Sequence, residues 1–243
     1  MKLILSSFFI MTNLLASDFG IEIGLIGQLP QKEFKNEGVP NGIGFDLSGF
    51  WKPNPNFGLG LNLGGTQYGS SKRQIPFSYF SSAVTITEKT TNDIFYGHLL
   101  FRINLFTGNV KPYFETLIGL KNLSTTTELL NENCVDNSET DYDDCEIASS
   151  KNASDNTFSY GYGGGLNVII TSIGGEEESD VNGILSFFVN VRYMMGAEAE
   201  YLKEGSITFS DASDPGPVQT TFSPSKSKTD VMQISLGLNF DIK

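Results

Sequence analysis

The sequence lacks any apolar run long enough for a membrane-spanning helix. No stretch of 18 apolar residues occurs among its 243 residues, and a helix needs about 20 to cross the hydrocarbon of a bilayer. Charge is also scarce: 18% of residues are charged, and acidic residues prevail to give a net charge of −12. Without a basic stripe to neutralise phosphates, the composition excludes nucleic acid as a partner.

Histidine and cysteine are nearly absent as well. His98 is the single histidine, and no serine or thiol stands at a constrained spacing from it. Catalysis would need a nucleophile–base pair, paired carboxylates or a metal cluster. The sequence marks none of these, so we expect neither an enzyme nor a cofactor. A lipid-modifying enzyme that depends on His98 remains a disfavoured alternative.

The two cysteines, Cys134 and Cys145, fall in one polar, acidic stretch. If the chain is exported, it meets an oxidising compartment, so we expect a disulfide that staples this loop. Two free thiols are the alternative.

The same stretch contains no Lys or Arg between Glu128 and Glu146. Clustered carboxylates can bind Ca²⁺, but the EF-hand pattern fails because Asp141 stands where that motif needs glycine. A solvated loop is therefore the preferred interpretation. Weak divalent-cation binding, beside lipopolysaccharide phosphates, is the alternative, with the candidate ligands Asp136, Asp141, Asp143 and Asp144.

The N-terminus has the pattern of a secretory signal. Lys2 precedes an apolar run from Leu3 to Ile10, and Ala16-Ser17 follows a second short apolar pair. This apolar core is too short to cross a bilayer as a helix. We expect residues 1–17 to be a signal peptide and residues 18–243 to be one domain. A buried N-terminal strand or helix is the alternative.

Alternation of apolar and small polar residues predicts eight strands, because successive side chains on a strand point to opposite faces. One phase is apolar in every strand, and the other is Gly, Asn, Ser and a few charges. The predicted strands run from about Phe19 to Gln28, Ile43 to Trp51, Phe57 to Gly64, Phe95 to Leu105, Phe114 to Lys121, Ser159 to Ile170, Leu185 to Tyr193 and Met232 to Phe240.

The gaps between these strands alternate between short and long. Short gaps cover residues 52–56, 106–110 and 172–180, and long gaps cover residues 29–41, 66–92, 122–156 and 202–228. Outer-membrane barrels have an even number of strands, short periplasmic turns and longer outer loops. The sequence therefore predicts an all-β fold: one antiparallel up-and-down transmembrane β-barrel.

Two other architectures remain open. A soluble sandwich or lipocalin-like barrel also has many short strands, but glycine is a poor residue for the solvent face of a strand. A ten-stranded barrel would recruit Ala83 to Thr87, or Ser206 to Phe209 with Val218 to Phe222, as further strands. These segments could instead extend the barrel above the membrane.

The polar side chains of the alternating strands, which would point into the barrel, are the candidate site residues. An eight-stranded barrel has an interior just wide enough for side chains to fill it, and buried charges persist only when paired. If Phe106 faces Lys111 across their turn, Arg102 stands directly opposite Glu115. We predict a lumenal polar network whose candidate residues are Glu22, Asp46, His98, Arg102, Glu115 and Arg192, with Lys121 also facing inward. We expect His98 to be hydrogen-bonded there.

The closing pattern Ile234-Ser-Leu236-Gly-Leu238-Asn-Phe240 resembles the terminal strand of the small outer-membrane β-barrel family of Gram-negative bacteria, of the OmpA/OmpX type. In that family the signal usually ends on the aromatic residue, whereas Asp241-Ile242-Lys243 follow here. Ile242 keeps the phase, so the strand can run on. The resemblance implies a location in the cell outer membrane.

The resemblance also implies partners: outer-membrane lipid and lipopolysaccharide, and the barrel-assembly machinery that reads the closing strand. We expect a monomer. The first functional hypothesis is a non-enzymatic barrel with a filled lumen and long outer loops, in an envelope-structural or surface-interaction role. The alternative is a small pore or transporter for ions or amphiphilic solutes.

Overall fold

The structure is a computed structural model that describes residues 18–78, 81–131, 146–173, 183–203, 206–209 and 220–242. The predicted signal peptide and both cysteines lie outside the described residues. Eight strands form a closed antiparallel barrel: β1 (Asp18–Pro30), β2 (Gly42–Asn54), β3 (Phe57–Ser78), β4 (Ser81–Asn104), β5 (Val110–Asn131), β6 (Glu146–Ile173), β7 (Gly183–Gly196) and β12 (Val231–Ile242). The predicted all-β, up-and-down barrel is confirmed.

The barrel closes between its first and last strands. β12 pairs with β1 over twelve positions, from Phe19 opposite Ile242 to Pro30 opposite Val231. The strand therefore runs on past Phe240, as its phase predicted. Arg102 stands opposite Glu115, so the register predicted for β4 and β5 is also confirmed.

The outer surface of the barrel is apolar. Side chains of the apolar phase point outward on each barrel strand, and Leu25 and Ile43 are 67% and 77% exposed. Large apolar patches of this extent are unfavourable in water. A closed barrel with this exterior satisfies its backbone internally and suits the bilayer. Within the part of the chain that is described, no helix combines the length and apolar content needed to span a membrane.

Four of the barrel strands are far longer than the sequence predicted. β3, β4, β5 and β6 contain 22, 24, 22 and 28 residues, whereas β1, β2, β7 and β12 contain 12 to 14. Residues 66–92 and much of 122–156 were expected to be loops, and this was wrong; at Ala83 to Thr87 the alternative of a segment that extends the barrel is confirmed. Thr/Ser-rich segments there pair across neighbouring strands, and a polar segment with such partners does not need an apolar face to be a strand.

The extra residues lie at one end of the barrel. β2 and β3 join through a tight turn at Asn54 and Phe57, and β4 joins β5 through Leu105 to Asn109. We call this the short-turn end, and the opposite end the long-loop end. The excess length of β3, β4 and β5 therefore projects beyond the long-loop end, as does the first part of β6, which pairs with β5 from Glu146 onward.

The ten-strand alternative is not what forms in the described residues. Residues 83–87 continue β4, and β9 (Ile207–Phe209) pairs only with β10 (Thr220–Phe222) in a separate two-stranded sheet. A second small sheet, which the sequence did not reveal, joins β8 (Glu198–Tyr201) to β11 (Ser225–Lys228). A short helix, α1 (Lys32–Asn36), occupies the first long connection.

Candidate functional site in the barrel lumen

Five charged side chains from five strands meet inside the barrel, and we call them the charged layer. They are Glu22, Asp46, Arg102, Glu115 and Arg192, and each is at most 2% exposed. Each occupies a polar position in the alternating pattern of its strand, and these positions face the lumen.

Arg102 is the centre of one half of the layer. Its Nη2 donates to Glu22 Oε2 at 2.9 Å and to Glu115 Oε2 at 2.7 Å, and its Nη1 donates to the other oxygen of Glu22. The rings of Phe50 and Tyr113 cover the guanidinium, with their centroids 4.2 Å and 3.8 Å from Cζ. Acidic groups at its edges and aromatic faces on both sides hold the cation rigidly.

Arg192 connects Glu115 to Asp46 and so forms the other half of the charged layer. Its Nε donates to Glu115 Oε1 at 2.6 Å, and its Nη1 donates to Asp46 Oδ2 at 2.5 Å. Glu115 thus joins both arginines, and the layer is an unbroken chain in which acids and bases alternate. Asn62 donates to Asp46 at 3.1 Å and Asn190 donates to Glu115 at 2.5 Å. Shared partners of this kind stabilise buried charges that would otherwise be costly.

His98 lies apart from this chain of contacts. It is 2% exposed, and its ring stacks obliquely near Tyr96 with centroids 5.3 Å apart. Neither ring nitrogen has a hydrogen-bond partner among the described residues. No described residue supplies the hydrogen bond that we expected for His98. Its neighbour across β5, Gly119, has no side chain, and its neighbour across β3, Asn62, donates to Asp46 instead.

A second ion pair, which the sequence analysis missed, lies at the short-turn end. Lys52 pairs with Asp241, and both are largely buried. Lys52 precedes a proline and Asp241 follows the last aromatic residue, so both looked like turn or terminal residues. The inward phase of β2 and β12 could have identified them, because Lys52 continues the series of Ser48 and Phe50.

The long-loop end is closed by apolar residues, which we call the apolar cap. Phe34 of α1 is fully buried, and its ring centroid lies 6.0 Å from that of Tyr68 and 5.0 Å from that of Tyr201. Inward residues of the barrel, including Ile94 and Leu123, belong to the same buried cluster. A single phenylalanine in a polar loop gives little signal in the sequence, so this cap was not predicted.

Polar contacts tie α1 to the last long connection. Lys203 Nζ lies 2.9 Å from Glu37 Oε2 and also donates to the backbone oxygen of Glu37. Lys32 Nζ lies 3.0 Å from Asp230 Oδ2. Lys203 holds the pKa of the Glu37 carboxyl below its ordinary value through hydrogen bonding and charge. The hydrogen bond from Lys32 to Asp230 is the largest cause that raises the pKa of Lys32.

The weak cation site proposed from the sequence cannot be placed. Asp136, Asp141, Asp143 and Asp144 lie outside the described residues, as do Cys134 and Cys145. Among the residues that are described, no group of three or more His, Cys, Asp or Glu side chains could hold a metal ion.

Strand number, closure and the apolar exterior are those of a small transmembrane β-barrel. No protein-family model matches the sequence, and no curated protein matches it.

Solved structures resemble the barrel at low sequence identity. Ail, the attachment invasion locus protein of Yersinia pestis, is 16% identical, with 93% of this chain and 98% of that chain covered and a TM-score of 0.36. Neisserial surface protein A is 10% identical, with 93% and 96% covered and a TM-score of 0.38. The outer membrane protein AlkL is 14% identical, with 93% and 90% covered and a TM-score of 0.28. At these TM-scores the likeness carries no inference about role.

Proposed function

We propose that this protein is a non-enzymatic outer-membrane barrel with a surface-interaction role, and that the sheet projecting from its long-loop end is the contact surface. The observation that carries the proposal is the difference in strand length. A tilted strand needs about 9–11 residues to cross the hydrocarbon. β3 to β6, with 22, 24, 22 and 28 residues, exceed this by about 11 to 19 residues, or roughly 35–60 Å of extended chain.

The projecting part is an ordered sheet and not a set of loose loops. Lys89 Nζ lies 3.1 Å from Glu128 Oε2, and Arg73 Nη2 lies 2.7 Å from Glu88 Oε2. The hydroxyls of Thr90 and Thr127 are 2.9 Å apart. Such cross-strand pairs stabilise a sheet outside the membrane. A rigid polar surface loses little entropy when a partner binds.

The sheet also has an open edge along β3. Gln67 is the last residue of β3 that faces β2, opposite Ile43, and beyond it no described strand pairs with that side of β3. The β6 edge is partly covered by the segment that leads into β8, because the N–H of Ala197 donates to the backbone oxygen of Phe158. An open edge offers backbone donors and acceptors to an extended segment of a partner.

The pore alternative receives less support from the lumen. The charged layer, with Arg102 between two aromatic rings, crosses the interior, and the apolar cap covers the long-loop end. With two barriers in series, we expect no continuous water-filled path through the lumen. A pore would require both barriers to move.

We further propose how an outer-membrane protein of this kind is exported and assembled, and in what oligomeric state it remains. Residues 1–17 direct export and are removed. Assembly machinery reads β12, and the mature barrel stays monomeric in lipid and lipopolysaccharide.

Trimmed hairpins test the contact surface. Residues 70–91 and 125–153 are each replaced by an Asn-Gly turn, which joins residues that already face each other, Gly69 with Asn92 and Ser124 with Ser154. Both versions are expressed in the outer membrane of a host strain, and settling of the cells and adhesion to epithelial monolayers are measured.

We expect the full chain to promote aggregation or adhesion and the trimmed chain to lose this effect. Both versions must migrate differently on gels before and after boiling, which shows that they are folded barrels. If folded full-length and trimmed barrels both behave like the empty vector, the surface-interaction role fails. If trimming alters only the resistance of the envelope to detergent, the structural role replaces it.

A further inference from the structure

An open groove of about 710 Å³ crosses the outer surface of the barrel toward its long-loop end, and we call it the lateral groove. It spans five neighbouring strands, β12, β1, β2, β3 and β4. Its outward side chains form two adjacent rows in the strand register, and each row contains one glycine. The row nearer the long-loop end is Ile234, Gly27, Ile43, Gln67 and Asp93, and the other row is Leu236, Leu25, Phe45, Gly65 and Phe95.

Gly27 creates the depression. A Cβ atom at Gly27 would have the backbone oxygen of Ile234, 4.0 Å away, as its nearest neighbour, so the space in front of it is open. Ile43 and Leu25 beside this gap are 77% and 67% exposed, more than any other large apolar side chain that the structure describes. Gly65 differs, because a Cβ atom there would lie 2.9 Å from the ring of Phe95, which covers it. The groove is therefore deepest at Gly27.

The apolar part of the lateral groove lies in the surface that faces lipid. An acyl chain touches a smooth barrel wall on one side only, whereas a chain in a groove gains dispersion contacts from several sides. The volume falls within the range of roughly 300–1,000 Å³ that is typical of small-molecule sites. One chain in the groove is thus favoured over chains elsewhere on the exterior.

The groove slopes from a polar end into the apolar belt. On β4 the exterior changes from apolar to polar between Phe95 and Asp93, and Gln67 stands opposite Asp93. On β1 and β12 the apolar exterior continues beyond the same row, to Leu29 and Met232. The end at Asp93 therefore lies at the edge of the hydrocarbon, and the opposite end lies within it.

Asp93 can accept further hydrogen bonds at this polar end. It is half-buried, and none of the ion pairs among the described residues includes it. Thr91 on the same strand can donate its hydroxyl, and the neighbouring charges Lys89 and Glu128 pair with each other at 3.1 Å. A carboxylate has about four acceptor sites and no donor. The polar group that meets Asp93 must therefore be a hydrogen-bond donor.

We propose that the lateral groove binds one acyl chain of a lipid whose headgroup carries a primary ammonium, with the chain at Gly27 and the ammonium at Asp93. An ammonium supplies three donors and the charge opposite to that of the carboxylate. The site uses only the lipid-facing wall of the barrel. It does not depend on the projecting sheet or on its role.

Photocrosslinking with two lipids locates the chain. The full chain is folded into phosphatidylcholine vesicles that contain a small fraction of phosphatidylethanolamine with a photoreactive group on one acyl chain. A parallel sample contains phosphatidylcholine with the same labelled chain, whose headgroup nitrogen has no N–H donor. Mass spectrometry identifies the crosslinked residues. We expect the ethanolamine lipid to crosslink mainly around Gly27 and Ile43, and the choline lipid to show no such concentration.

A matched pair of glycine substitutions tests the groove itself. Gly27→Leu fills the gap without a clash, and it should reduce crosslinking at Ile43 to the level of the choline lipid. Gly49→Leu is the control, because Gly49 also lies on the exterior, with no heavy atom within 4 Å of a Cβ there, but outside the groove. It should leave crosslinking unchanged. Asp93→Asn should remove the preference for the ethanolamine headgroup.

A second exterior groove serves as an internal control. It has a volume of about 850 Å³ over β5, near Ile118 and Tyr160, and no charged side chain lines it. Crosslinks there should be equal for the two headgroups.

Three results would overturn the proposal: crosslinks spread evenly over the exterior, equal crosslinking of the lateral groove by both lipids, or no change in Gly27→Leu. If Gly27→Leu does not fold, which gel migration before and after boiling reveals, Asp93→Asn and the comparison of the two lipids still decide.

Discussion

Arg102 and Glu22 lie 80 positions apart in the sequence, and both oxygens of the carboxylate accept hydrogen bonds from the guanidinium inside the barrel. The pair joins the first strand to the fourth across the lumen. Glu115 then continues the chain of charges to Arg192 and Asp46. Because these charges are connected across the lumen, side-chain contacts inside the barrel hold distant strands together.

Removal of Arg102 should destabilise the barrel strongly. Arg102→Met leaves Glu22 and Glu115 buried with fewer partners, and breaking a buried ion pair in this way costs about 3–5 kcal/mol. The free energy of unfolding in urea, measured with the protein in lipid vesicles, checks this. Lys226→Met, which removes an exposed pair with Glu198, is the control and should change stability by less than about 1 kcal/mol.

A double substitution sharpens that prediction. Glu22→Gln combined with Arg102→Met removes charge from both partners, so we expect it to be less destabilising than Arg102→Met alone. A double variant that loses the sum of both single effects would mean that the two residues act independently.

The lipid-facing phase of the closing strand can be tested at Leu236, which is 49% exposed on the barrel exterior. Leu236→Arg places a charge near the middle of the belt, where it costs about 2–4 kcal/mol. We expect a smaller folded fraction in vesicles, seen as less of the heat-modifiable band on gels. Leu236→Phe should fold normally. Equal folding of both variants would argue against lipid on this face.

The two barriers in the lumen should act in series. Phe34→Ala opens the apolar cap but leaves the charged layer in place, so we expect no rise in conductance across planar bilayers. Arg102→Met removes the lower barrier alone, and it should also stay closed. Only the combination should conduct ions. A single variant that conducts would show that the other barrier does not seal the lumen.

Acid should loosen the attachment of α1. The pKa of Glu37 lies below its ordinary value because Lys203 bonds to the carboxylate. A lowered pKa means that this contact contributes at neutral pH and is lost as the pH falls through the pKa of the folded state. Hydrogen exchange of the α1 amides should therefore speed up in acid, beyond the intrinsic pH effect.

Lys203→Met is the control for that measurement. Without the ammonium, the amides of α1 should already exchange faster at neutral pH and should change less on acidification. If the unchanged protein and Lys203→Met respond identically to acid, another group governs the attachment.

Much of the barrel could be read from the sequence because a strand with lipid on one side and a filled lumen on the other needs strict alternation. Phe240, Leu238 and Leu236 occupy one phase and Asn239 and Ser235 the other, so face and register follow from counting. The pairing of Arg102 with Glu115 followed from the turn between their strands. The sequence also assigned Glu22 and Arg102 to one lumenal network, but which atoms meet across the barrel depends on how far the strands are staggered at closure, which local patterns do not contain.

The full extent of the projecting sheet, of which only the segment Ala83 to Thr87 was anticipated, and the apolar cap were missed for a different physical reason. Beyond the membrane, β3 to β6 have water on their faces, so the apolar phase that identifies a strand disappears while backbone pairing continues. Phe34 is buried only because α1 folds back onto Tyr68 and Tyr201, which are distant in the sequence.

The sequence by itself therefore determined the strand order, the lipid-facing phase and the inward charges, because each follows from the two-residue period of a strand. Only the tertiary structure decided which charges meet, how far four strands rise above the others, and what closes the lumen. Those features arise when distant strands come together at closure, and the free energy of each contact depends on partners that no local segment specifies.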